Sequence, residues 1–109
     1  MSQLPEAYRT FLQDYPTVAG VYEQLGAAAA EAGPLDAKTR ELVKLAMAAA
    51  LGSEGAVHSH VHRALAAGAT AAEIEHTLIL GVTTLGFPTM MMALRWARTA
   101  LHQATSPQS

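Results

Sequence analysis

Apolar side chains recur along this chain every three or four residues, and apolar-polar alternation never persists for more than a few positions. The pattern therefore predicts helices and no strands. The stretch LPEAYRTFLQ sets Leu4, Tyr8, Phe11 and Leu12 on one stripe, with Pro5 in a first-turn position, and its helix is expected to end near Tyr15-Pro16. A second helix, from about Thr17 to Ala32, has Val18, Val21, Tyr22 and Leu25 on its apolar side and stops at Gly33-Pro34. Asp36 caps a third helix, with Leu35 before it as a hydrophobic staple. From Leu42 to Leu51 only Lys44 is polar, which predicts a helix buried on most sides.

Gly52 and Ser53 form a junction to a fourth helix, about Glu54 to Ala67, which Gly68 closes. TAAE, Thr70 to Glu73, reads as a capping box for a fifth helix carrying Ile74, Leu78, Ile79 and Val82 and ending near Leu85-Gly86. Pro88 starts a sixth, TMMMALRWARTALHQ, and the tail ATSPQS is expected to fray. Short connections favour antiparallel neighbours. The expected fold is all-α, a compact antiparallel domain of about six helices spanning residues 1–109.

Composition sharpens this. Half of the 109 residues are apolar, but 23 are alanine and only six are aromatic, so the core of a lone subunit is expected to be modest and self-association is expected to supplement it. A net charge of -2 and the lack of any basic patch argue against nucleic acid as a partner. The longest apolar run, LAMAAALG, is well short of the roughly 18 residues a membrane span requires. No basic and apolar leader opens the chain, and a cytoplasmic protein is expected. The absence of cysteine removes thiolate nucleophiles, disulfides and cysteine-type zinc sites, leaving oxygen and nitrogen groups for any chemistry.

Three of the five histidines fall in HSHVH. At about 100° per residue, Val57, Val61, Ala64 and Leu65 form the inward stripe of that helix. His60 lies at one edge of the stripe; His58 and His62 lie at the other, on the side of Glu54. The three imidazoles therefore cannot meet on one ion. Glu54, His58 and His62 are each four residues apart, so any adjacent pair of them could reach one metal with a third ligand from elsewhere, or all three could be polar residues at a helix or subunit interface. His60 stands alone at the margin of the core, as either a structural histidine or an acid-base group. In the second role it would need an orienting carboxylate, for which Glu41 is the candidate.

GPLDAKTRELVKLAMAAALG followed by HVHRALAAGATAAEIEHTLILGVTTLGFP resembles the carboxymuconolactone decarboxylase and alkylhydroperoxidase D-like superfamily over about Gly33 to Ala97. The peroxidase branch of that family has a Glu, eleven residues, a Cys, two residues, a second Cys, three residues and a His. On this chain the Glu falls at Glu41 and the His at His60, while Ser53 and Ala56 occupy the two cysteine positions. A thiol peroxidase cycle needs both sulfurs. The resemblance thus implies the Cys-less decarboxylase-like branch: lyase- or isomerase-type proton transfer on a small carboxylate or carbonyl compound, with His60 as acid or base, Glu41 orienting it and Ser53 supplying a hydrogen bond. It implies a homotrimer or homohexamer, no resident cofactor, and a pocket wall from Phe87, Met90, Met91 and Trp96. The alternative is a non-catalytic module on the same scaffold that binds a small molecule or a metal.

Overall fold

The computed structural model describes residues 6–105, all of whose regular elements are helical. The order is α1 (Glu6–Asp14), α2 (Pro16–Glu31), α3 (Ala37–Leu51), α4 (Glu54–Ala66), α5 (Ala71–Ile79), a 3₁₀ turn (Leu80–Thr83) and α6 (Phe87–Thr105). The fold is all-α with six α-helices among the described residues, as the spacing predicts. Leu4 and Pro5, expected to open α1, and the tail from Ser106 onward lie outside those residues. No described helix is long and apolar enough to cross a membrane.

The described residues fall into two compact units that divide after Pro34. In the first, α1 packs on α2, and the rings of Tyr8, Phe11 and Tyr15 follow one another along one side, with centroids 6.5 and 5.9 Å apart. Ala19 is the buried residue of α2. Val18, Val21, Tyr22 and Leu25, its apolar stripe, are all more than half exposed.

In the second unit α3, α4, α5 and α6 share one core. Leu45 from α3, Val57 and Val61 from α4, and Ile74 from α5 are fully buried, and alanines such as Ala64, Ala93, Ala97 and Ala100 fill the space between them. Small side chains let the helix axes approach closely, so many short contacts replace a few large ones. No polar or charged residue among those described is fully buried.

The helix ends follow their local chemistry. Asp36 Oδ1 accepts the Thr39 N–H at 2.8 Å. Thr70 and Glu73 form a reciprocal capping box. Gly52 caps α3 at φ 68°, a left-handed conformation that costs a residue with a Cβ about 1–2 kcal/mol. It reverses the chain directly into α4.

Two expectations are corrected. α3 is not buried on most sides: Leu45, Ala48 and Ala49 are buried, but Val43, Met47 and Leu51 are exposed on the opposite face, Leu51 at 82%. Only one side of α3 faces the shared core, whatever the polarity of the rest. The fifth helix also stops early. After Ile79 the backbone tightens into the 3₁₀ turn, and Gly81 O accepts from the N–H groups of both Thr84 and Leu85. β-branched Val82, Thr83 and Thr84 disfavour another α-helical turn there.

Replacing Leu45 by Ala is expected to destabilise the protein by about 2–5 kcal/mol, read by urea unfolding, because its buried neighbours cannot refill the space. A pH dependence follows from the caps. The carboxyls of Asp36 and Glu73 are held below their ordinary values, Asp36 chiefly by the Thr39 backbone N–H and Glu73 chiefly by that of Thr70, then by Lys38. Their stabilisation is fully present above the ordinary carboxylate range and is lost as pH falls through the lowered folded-state values. Urea unfolding at stepped pH should show this acid loss, and Asp36→Asn and Glu73→Gln should each make it shallower.

Candidate functional site

Glu41 and His60 meet between α3 and α4. His60 Nδ1 lies 2.8 Å from Glu41 Oε1, and each side chain is 18% exposed. Both placements follow from helical periodicity. Glu41 precedes buried Leu45 by four residues and buried Ala48 by seven, so it continues the inward stripe of α3. His60 follows buried Val57 by three residues and precedes buried Ala64 by four. A carboxylate can only accept a hydrogen bond, so Nδ1 carries the hydrogen in this pair and Nε2 is the nitrogen left free to exchange a proton.

The direct turn at Gly52 and Ser53 sets the two helices side by side. Ser53 is the N-cap of α4, and its Oγ accepts the Ala56 N–H at 3.3 Å. The hydroxyl hydrogen of Ser53 is not used by that bond. Ala56 is half-buried and packs against the core. Of the nearby basic groups, Arg40 donates to the Leu35 carbonyl at 2.7 Å, and Lys38 pairs with Glu73 at 3.0 Å.

His58 and His62 lie on the other edge of α4. His58 Nε2 is 3.9 Å from Glu54 Oε2 and makes no hydrogen bond. Burial, and then the neighbouring His58, push the pKa of His62 below the ordinary histidine value. Among the described residues no group of three His, Asp or Glu side chains is placed to hold a metal ion, and Glu54, His58 and His62 do not converge on one.

The four residues assigned to a pocket wall do not share one environment. Met90 is buried on the inward face of α6 with Ala93, Leu94 and Ala97, and Trp96 packs partly buried against the core. Phe87 is 60% exposed at the start of α6. Met91 lines a groove of about 760 Å³ along α6, together with Met92, Arg95, Thr99 and His102. A second groove, about 510 Å³, lies between α3, α5 and the 3₁₀ turn, with Val43, Met47, Leu80 and Leu85 in its walls and Thr39, Thr77 and Thr84 as its polar groups. Neither groove is lined by Glu41 or His60. Sequence reasoning missed the second groove, for which the available signal was the excess of apolar residues on α3 beyond one helical stripe; in the first groove it named only Met91.

Residues 16–99 match the Carboxymuconolactone decarboxylase family. The matched segment begins at the start of α2 and takes in α3 to most of α6. An uncharacterized protein of Haemophilus influenzae is 40% identical over 63 residues, 58% of this chain and 56% of that protein, so the chain spans little more than half the length of this relative. The crystal structure of an apo carboxymuconolactone decarboxylase family protein from Legionella pneumophila superposes with a TM-score of 0.79 at 29% identity, covering 92% of this chain and 88% of that one.

The contact across the two helices is measurable by a double-mutant cycle. Unfolding free energies of Glu41→Gln, His60→Asn and the double variant are expected to show a coupling of about 0.5–3 kcal/mol. Strict additivity would mean that the hydrogen bond contributes nothing to stability.

Proposed function

The chain belongs to the carboxymuconolactone decarboxylase family, and from that premise we propose that it performs acid-base chemistry on a small carboxylate or carbonyl compound, with His60 as the proton carrier. The observation supporting this most directly is the 2.8 Å hydrogen bond between His60 and Glu41. With Glu41 holding Nδ1–H, the Nε2 of His60 takes a proton from carbon next to a carbonyl, or returns one to carbon after carbon dioxide has left. In the decarboxylation case the carbon-carbon bond breaks, its electron pair passes into the adjacent carbonyl as an enolate, and imidazolium protonates the carbon. Glu41 stabilises the imidazolium between these steps. Ser53, whose hydroxyl can still donate, supplies a hydrogen bond to the substrate oxygen.

Without cysteine at positions 53 and 56, where Ser53 and Ala56 stand, a thiol peroxidase cycle has no attacking or resolving sulfur. Phe87 and Met91 contribute the exposed part of an apolar wall, backed by Met90 and Trp96 from the core side. We place this site in a homotrimer or homohexamer. Support comes from the exposed apolar face of Val43, Met47 and Leu51, which another copy of the chain could cover. A non-catalytic binding module is the second reading, favoured by one observation: neither groove is lined by Glu41 or His60.

Proton exchange into a panel of small β-keto acids, lactones and ketones in D₂O, followed by NMR, separates the two. Turnover should fall about 10²- to 10⁴-fold in His60→Asn and fall less in Glu41→Gln, with helix content unchanged. Turnover equal to the parent protein in His60→Asn would eliminate the catalytic role.

A further inference from the structure

The groove along α6 changes character from one end to the other. Its lining positions, from Pro88 to His102, recur mostly at steps of three and four residues and so share one face of the helix. Pro88, Met91 and Met92 make the first half apolar, and Met91 is 40% exposed. Arg95, Arg98 and His102 make the second half basic, and no carboxylate lines either half. Arg98 donates through Nε and Nη2 to Glu75, at 3.3 and 3.1 Å, so its charge is matched. Arg95 is exposed, and its side chain has no ion-pair or hydrogen-bond partner among the described residues. One positive charge therefore stands uncompensated beside an apolar channel, in a chain whose net charge is -2.

We infer that this groove binds one anionic amphiphile of the monocarboxylate class, with its head on Arg95 and its hydrocarbon chain running back toward Pro88. A guanidinium presents paired N–H donors that match the two oxygens of a carboxylate. Arg98, three residues on, adds the N–H donors that Glu75 does not engage. The volume, about 760 Å³, falls within the roughly 300–1,000 Å³ of small-molecule sites. Seven residues of helix separate Pro88 from Arg95, about 10 Å of length for the chain to lie along. Methionine suits that wall, because its unbranched thioether adapts to a flexible ligand. Met92 is backed by the turn between α3 and α4, where a Cβ at Gly52 would stand 3.7 Å from its Cε. A second copy of the chain is the competing occupant, and it would have to bring a carboxylate of its own to Arg95. The site does not depend on the acid-base reading, since neither Glu41 nor His60 lines this groove, although Met91 would serve both.

Isothermal titration of the whole chain with sodium octanoate tests this, with circular dichroism as a check on the fold of each variant and light scattering on its oligomeric state. One octanoate per chain is expected. Sodium acetate, which offers the head alone, and 1-octanol, which offers the chain alone, should each bind at least about tenfold more weakly. The dissociation constant should rise at least about tenfold in Arg95→Gln and about threefold or more in Met91→Ser. Glu75→Gln, which releases the Arg98 guanidinium, should tighten binding by about two- to fivefold. Three results would overturn the site: no saturable octanoate uptake, parent affinity in folded Arg95→Gln, or acetate or octanol binding as tightly as octanoate. A loss confined to His60→Asn would also overturn it, by putting the carboxylate at the Glu41 pair. Self-association abolished by Arg95→Gln, without octanoate uptake, would give this face to a second copy instead.

Discussion

The close approach of α3 to α4 is the constraint on which the rest of the second unit depends. Two residues connect these helices, Gly52 in a left-handed conformation and Ser53 as the next cap. Alanines at positions 48, 49 and 64 keep the surrounding core thin. Larger side chains in these places would overpack the contact between the two helices. The same economy of volume has a second effect. A core built largely of alanine buries little area per residue, and large apolar side chains such as Met47, Leu51 and Leu80 are left on the outside.

Much of this architecture was legible in the residues themselves. Asp36, Ser53 and Thr70 announce helix starts through their side-chain oxygens, and Gly52 and Gly68 mark helix ends through their positive φ values of 68° and 100°. Local chemistry of this kind acts within four residues and needs no tertiary partner. The placement of His60 beside the core could also be read, because Val57 and Ala64 fix the direction of that face. Glu41 was harder. Its distance from Leu45 and Ala48 puts it on the inward stripe, yet a carboxylate at the start of a helix is just as well explained by the helix dipole.

Coverage is what periodicity could not supply. From Leu42 onward α3 is apolar nearly all round, and the pattern alone does not distinguish burial by its own unit from an apolar face left outside; the structure leaves Val43, Met47 and Leu51 exposed. The stripe of Val18, Val21, Tyr22 and Leu25 on α2 illustrates the same gap. Met90 and Met91 make the point on a smaller scale. They are adjacent and chemically identical, but a rotation of one residue sends the first into the core and the second to a groove. The end of α5 was a different kind of miss, since three β-branched residues in succession oppose the continued α-helix that hydrophobic spacing favours.

Glu41 and His60 are separated by only 19 positions along the chain, and the two helices that carry them are consecutive. Contacts of short sequence separation form with little loop-closure entropy, and chains dominated by them fold rapidly. Pairing α3 with α4 therefore closes only a short loop, whereas docking α6 on them closes a longer one, so the contact between carboxylate and imidazole costs the chain less entropy than the core that later covers it.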